Sequence, residues 1–426
     1  MGISGMKDIV VQKFGGTSVA DTEKIKNVAK AVIKEKALGH DVVVVVSAMG
    51  HTTDILVKLA KEITPNPSSR EMDMLLSTGE GVSIALLAMA LQDQGCNAVS
   101  MNAMQVGILT EKVHTKARIL NIRTDKIRSH LNNGEVVVIA GFQGITEDFE
   151  ITTLGRGGSD TSAVALAGAL GAKRCDIYTD VEGVYTTDPR NVPCASRLDQ
   201  ISYEEMMEIA SGGANVLHPR AVETATRYNI PVRVRSTFNL ENQGTLILGV
   251  DDMELQKPVT GVVLDLSRVR IVVCDVKDNP GIAATLFDCL AEENISVDMI
   301  IQSYARKDLN TNDIAFTIDR GDLDKAKTVL EKIRLQLGYS DIVVDDQIAK
   351  VSIVGAGMIG RPGIAAKMFK TLANLGINIK MISTSEIRVS CLVDKDKAMN
   401  AVETLHSIFG LDSGEIADVR GDLPNI

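Results

Sequence analysis

No tryptophan occurs in the 426 residues, and aromatics make up only 3% of them. Packed cores must therefore rest on Val, Ile, Leu, Ala and Met, for which the 45% hydrophobic share is ample. Proline is scarce as well, at 10 residues against 35 glycines, and the glycines fall in short clusters between apolar runs. That is the pattern of a sheet protein with tight functional turns; a disordered chain would spread them through polar sequence. The six cysteines (Cys96, Cys175, Cys194, Cys274, Cys289, Cys391) include no CxxC pair, which argues against a disulfide framework or a zinc site and suits a reducing compartment. Positive charge is also short. The formal net charge is −10 and no Lys/Arg run is dense, so a nucleic-acid surface is not expected. The apolar run Val42–Val46 falls far short of a membrane span. Residues 1–13 lack a signal-peptide pattern and Met6 departs from a myristoylation signal, so a cytoplasmic protein without membrane partners is expected.

What is present divides the chain in two. Up to about residue 240, short Val/Ile runs alternate with helix-period segments. Strands are expected at 10–14, 41–47, 135–142 and 175–179, and helices at 22–38 and 160–170. Continuous Val-rich strands between helices predict a mostly parallel α/β sheet covered on both faces, with ligands at the carboxyl ends of the strands. The later part is duplicated: Pro280-Gly281-Ile282-Ala283-Ala284 recurs 82 residues on as Pro362-Gly363-Ile364-Ala365-Ala366, and 12 of 24 aligned positions are identical. Each copy reads as β-α-β-β-α-β, a ferredoxin-like unit. The polar segment 250–260 is the expected linker.

Three motifs carry chemistry. Lys13-Phe14-Gly15-Gly16-Thr17-Ser18 ends a strand in two glycines before a helix. Backbone amides there, with Lys13 as a fixed cation, suit a nucleotide's phosphates or the charge that develops in phosphoryl transfer. In Gly155-Arg156-Gly157-Gly158-Ser159-Asp160, Ser159 or Asp160 would cap the following helix, but capping does not explain an arginine among three glycines. Arg156 suits a small carboxylate, and Asp160 an ammonium, which together describe an amino-acid site. Tyr178–Arg190 is rich in turn formers and follows a strand; its Tyr185 ring, hydroxyls and Arg190 suit a nucleotide. Walker A and protein-kinase patterns are both missing. Gly355-Ala356-Gly357-Met358-Ile359-Gly360 matches the dinucleotide fingerprint, but it lies in a repeat too small for the sheet such a site needs.

With these residues assembled, the chain resembles the monofunctional aspartate kinases from end to end, through KFGGTS (13–18), TLGRGGSDTSA (153–163) and YTDVEGVYTTDPR (178–190). The resemblance implies an amino-acid-kinase αβα sandwich over residues 1–250 and two ACT domains, at 251–345 and 346–426. In some relatives the first ACT unit is inserted into the second with strand exchange. The implied reaction is ATP-dependent phosphorylation of the aspartate β-carboxylate, which opens lysine, threonine and methionine biosynthesis, with Mg²⁺ accompanying ATP and no protein metal site. Lys13, Phe14, Gly15, Gly16, Ser18, Thr179, Asp180, Tyr185, Thr186, Thr187, Asp188, Pro189 and Arg190 would serve ATP. Thr53, Glu80, Arg156, Gly157, Gly158 and Ser159 would hold aspartate, with Asp160 beside Lys13 and Arg156 in catalysis. Asn215 stands where members usually carry a lysine that reaches ATP, leaving Arg220 as the alternative cation. Lysine or threonine would bind the ACT units through Asp278, Gly281, Ile282, Ala283, Asp298, Gln302, Ser383 and Thr384, and a homodimer or homotetramer is implied. Other readings are a sister kinase acting on glutamate, acetylglutamate, carbamate or a nucleoside monophosphate, a weakly catalytic amino-acid sensor, and a dehydrogenase.

Overall fold

The computed structural model describes residues 7–214, 216–249, 257–303 and 310–412. Its largest sheet has eight strands in the order Gln200–Ser202, Thr245–Leu248, Val232–Ser236, Arg174–Thr179, Ile9–Phe14, Asp41–Val46, Val136–Ala140, Ala98–Met101. Every neighbouring pair is parallel except Val232–Ser236 with Thr245–Leu248. The valine run explains its central place. Val43 and Val45 face one core with Leu166, Val222 and Met206, while Val42, Val44 and Val46 face another with Val28, Val32, Leu87 and Leu91. A strand buried on both faces needs no polar alternation. A second sheet, Ile119–Ile122, Ile108–Thr110, Gln143–Ile145 and Ile151–Thr153, stands beside the first. The expected strand over 135–142 therefore ends at Ala140, and Gln143–Ile145 joins the smaller sheet.

One apolar stretch among the described residues, Ser69–Asp93, has the length and hydropathy to cross a membrane. It is two helices that meet at Ser77, with Leu87 and Leu91 fully buried in the core that Val42, Val44 and Val46 face.

The repeats form two four-stranded antiparallel sheets. The first runs Val297–Gln302, Thr311–Asp319, Arg268–Lys277, Asp341–Asp345, the ferredoxin-like order. In the second, Ile348–Val354, Arg388–Asp394 and Met381–Thr384 are completed by Gly261–Asp265, which pairs antiparallel with Ile348–Val354. The linear division at 345/346 therefore does not follow the sheets. The second unit takes its edge strand from residues that precede the first, so the first is threaded into it. Gly281 (φ +94°) and Gly363 (φ +97°) begin equivalent helices in the same left-handed conformation, as expected of duplicated turns. Repeat-equivalent Met299 and Met381 meet in one cluster with Ile348 and Leu392, which joins the two units.

Candidate functional site

Three strand ends converge on the start of one helix. Strand Ile9–Phe14 delivers Lys13, 8% exposed, whose Nζ lies 2.6 Å from Asp160 Oδ1 in the first turn of helix Gly158–Leu170. At the next strand end, Ser47 Oγ donates to Ser159 Oγ at 2.9 Å. Gly141, after Val136–Ala140, lies so close that a Cβ there would sit 2.8 Å from Ser159 Cβ. The KFGG and GRGGSD segments, some 140 residues apart, thus share one cluster.

Close packing explains the glycines. A Cβ on Gly16 would come within 2.9 Å of the Ala48 carbonyl and 3.1 Å of the Gly50 carbonyl, and Gly50 N–H donates to Gly16 O at 3.0 Å. This backbone-lined floor fits a polyphosphate's close approach. Gly157 (φ +66°) has no room at all, since a Cβ would lie 2.2 Å from the His218 side chain. Ser18 is buried and shares a 2.6 Å hydrogen bond with Thr237, while Phe14 stacks on Tyr178 at 4.5 Å. Both therefore shape the strand end from within.

Glu80, which in isolation reads as a solvated charge, is 2% exposed. Burial pushes its carboxyl up to about 7, against the opposing pull of the Ala48 N–H and the Gln143 amide. Among the described residues its Oε2 is buried without a hydrogen-bond partner, so its acceptor capacity is not used up. Thr53 is half-buried in the first turn of helix Thr52–Ile63. Arg156 is exposed and has no ion-pair partner among the described residues. Asp160, expected to be available to an ammonium, is instead held by Lys13.

The Tyr178–Arg190 segment splits. Thr179 donates to Asp180 at 3.2 Å, half-buried Tyr185 bridges to Arg197, and Asp188 pairs with Arg190 at 2.7 Å beside exposed Pro189. Arg190 holds the Asp188 carboxyl below its ordinary range. Thr186 and Thr187 are buried, and Thr186 turns away from the strand ends. Its Oγ shares a 2.8 Å hydrogen bond with His406 Nε2, and its carbonyl accepts from Val262 N–H at 2.7 Å. Both partners belong to the second repeat unit, so Thr186 is corrected from a nucleotide contact to a junction residue. Asn215 lies outside the described residues. Arg220, the alternative cation, is committed elsewhere: its guanidinium donates to the carbonyls of Leu154 and Ala117.

The GxGxxG segment is absorbed by the same junction. Ala356 N–H donates to buried Glu205 at 2.8 Å, and a Cβ on Gly355 would strike the Pro258 carbonyl at 2.4 Å. Glu208, one turn along, takes Arg388 at 2.7 Å and Ser385 at 3.0 Å. The fingerprint is thus a domain contact. No sequence pattern marked these glutamates, because their partners lie 150 or more residues away.

Among the proposed effector residues, Gly281, Ala283, Gln302 and Thr384 are exposed, Ile282 and Ser383 are half-buried, and Asp278 accepts from Asn312 at 3.0 Å. Asp298 is engaged across the two units by Lys350, whose side chain is 1% exposed. Among the described residues, no cluster of three or more His, Cys, Asp or Glu side chains could hold a metal. Cys96, Cys175 and Cys391 are buried, Cys194 is exposed, and none is in a disulfide.

Comparison with known proteins identifies the family of both halves. The amino acid kinase family model matches residues 8–236, and the ACT domain model matches 269–333 and 351–409. An aspartokinase of Bacillus sp. (strain MGA3) is 53% identical over 412 residues, 97% of this chain and all of the relative. E. coli aspartokinase III in complex with aspartate and ADP (R-state) superposes with a TM-score of 0.80 at 29% identity, covering 94% of this chain and 99% of that one. The same enzyme with lysine and aspartate (T-state) gives 0.74 at the same identity and coverage.

Proposed function

This chain belongs to the aspartokinase family, and from that membership we propose that its strand-end cluster transfers the γ-phosphoryl group of ATP in line to the β-carboxylate of aspartate. The observation that carries the reading is the Lys13–Asp160 ion pair, which joins the glycine floor to the arginine loop. A carboxylate is already an anionic nucleophile at neutral pH, so no general base is required. The work left to the protein is to align two anions and neutralise their repulsion. Lys13, oriented by Asp160, meets the transferring phosphoryl group. Gly15 and Gly16 allow close approach of the phosphates, and Mg²⁺ arriving with ATP supplies further positive charge. Thr179, Asp180, Tyr185, Asp188 and Arg190 line the nucleotide. Arg156 takes the α-carboxylate of aspartate, with Thr53 and Ser159 alongside, and Glu80 takes its ammonium.

The regulatory units support control by an amino acid. Lysine or threonine binds around the Gly281–Ala283 turn, with Asp278, Gln302, Ser383 and Thr384, in an assembly of two or four chains. The Thr186–His406 and Glu208–Arg388 contacts link these units to the nucleotide loop and the kinase half. An effector acts only if it binds the less active arrangement more tightly. The products feed lysine, threonine and methionine synthesis. A coupled assay of ADP release tests both parts. Release that requires aspartate and falls with lysine or threonine is expected; aspartate-independent release overturns the activity, and indifference to both amino acids leaves the repeats as a scaffold between subunits.

Glu80 makes the reading pH-dependent. Its ionised form is the one that takes an ammonium, and its pKa in the free protein is about 7. kcat/KM for aspartate, which reports the free enzyme, should therefore fall as pH drops through that value. The same shift has the opposite sign for folding. The native state holds this proton more tightly than the unfolded chain, so the cost of burying Glu80 is absent below its ordinary 4.5 and grows as pH rises to about 7. Glu80→Gln should abolish the step near 7 in the pH profile while raising KM for aspartate; an unchanged step assigns the titration to another group.

A further inference from the structure

We propose that Asp73, a residue of the helix Ser69–Leu76 that no motif marked, positions Arg156 for aspartate by fixing the frame from which the arginine loop springs. The proposal rests on the reading of Arg156 as the aspartate clamp. Asp73 is fully buried, and its carboxylate gathers three groups from two separate segments. Thr115 N–H donates to both oxygens at 3.1 and 3.0 Å, Thr153 Oγ–H donates at 2.6 Å, and His114 Nδ1 lies at 2.7 Å. A buried carboxylate is costly unless its lone pairs are met, and here several donors converge on it.

The geometry leads from there to the site. Thr153 ends its strand two residues before Gly155 and three before Arg156. Thr115 adopts φ +67°, a left-handed conformation that a β-branched residue avoids unless it is held there. Its carbonyl lies 2.9 Å from where a Cβ on Gly155 would be, so the held turn forms the wall against which Gly155 (φ +78°) bends. Ala117 N–H donates to Thr153 O at 3.0 Å, and Arg220 ties Ala117 O to Leu154 O. The 114–117 and 153–155 segments are thus clamped by an anion at one point and a cation at another. Arg156 is the exposed side chain that this frame presents.

Asp73→Asn keeps the size but replaces one acceptor oxygen with an amide that faces donors. KM for aspartate should rise on the order of tenfold while KM for ATP stays within about twofold, because a hydrogen bond to a charged group is lost on the aspartate side alone. In an Arg156→Ala background the same change should add little, since the residue it positions is gone. Thr153→Val, which removes one donor at nearly constant volume, should reproduce the aspartate-specific effect if Asp73→Asn fails to fold. Equal losses for ATP and aspartate, or full additivity with Arg156→Ala, would overturn the positioning role. If Arg156→Ala alone leaves KM for aspartate unchanged, the clamp reading fails instead, and Asp73 is left as a fold residue.

Discussion

Lys13→Ala should lower kcat about 30- to 1,000-fold, the 2–4 kcal/mol expected for loss of a preorganised charge at a transferring group. The setting favours the upper part of that range. Lys13 is largely buried, so water replaces its charge poorly, and its amine is already aimed by Asp160. The substitution also strands Asp160, half-buried at the start of helix Gly158–Leu170. A carboxylate left there without its cation would repel any phosphate brought to the strand ends. Two variants separate these effects. Asp160→Asn on top of Lys13→Ala should recover the thermal stability lost by the single change, because the unpaired charge is gone. It should not recover turnover, because no cation has returned. Near-normal kcat in Lys13→Ala would remove the lysine from the chemistry.

The second large effect is expected at Gly157. Alanine there meets two penalties: a left-handed backbone costs about 1–2 kcal/mol for a residue with a Cβ, and overlap with a packed neighbour costs typically 1–3 kcal/mol. The neighbour is the His218 side chain at 2.2 Å, which the following helix Pro219–Tyr228 holds in place. Relief of that overlap displaces the arginine loop against His218, and Arg156 and Ser159, which flank Gly157 in sequence, move with it. Gly157→Ala should therefore lower kcat/KM for aspartate about 100-fold or more, in line with the combined strain. Gly171, at the other end of the same helix, is the matching control. It too has a left-handed backbone (φ +60°), but among the described residues nothing lies within 4 Å of a Cβ placed on it. Gly171→Ala should lower the unfolding midpoint modestly and leave aspartate kinetics intact. Equal kinetic losses in both variants would mean that backbone strain, rather than crowding at the site, sets the effect.

Much of the site was legible because its residues sit where strand, turn and helix signals meet. KFGG and GRGGSD announce themselves by glycine beside a charge, and the parallel sheet brings strand ends to one edge, so their meeting at Lys13–Asp160 was implied by topology. Legibility failed where local composition does not report distant partners. Thr186 reads the same as Thr179 in a turn-rich loop, yet one faces His406, 220 residues on, and the other stays at the strand end. Glu80 gave no sign of burial, because the small residues that admit it, Gly79 packed against Ala48, come from different segments. Asp73 was silent for a similar reason: one of two acids in a short amphipathic helix has many meanings until its donors are seen. The duplicated units were plain from their repeated turns, but the pairing of Gly261–Asp265 with Ile348–Val354 was not, since a short Val-rich strand fits either sheet.

That borrowed strand also sets an order of assembly as the chain leaves the ribosome. Gly261–Asp265 emerges early with nothing to pair with, and its partner follows only after roughly eighty further residues, a closure whose entropy grows slowly with length but whose search is slow. In the interval the intervening module can complete its own sheet and bring the two edges together. Its ends, Asp265 and Lys350, are already opposed in the finished pairing. The second unit is thus the last of the two to close, and the contacts made to it by Glu205 and Glu208 wait for partners 151 and 180 residues further along the chain. A nascent chain would carry the finished eight-stranded sheet before the second small sheet could close.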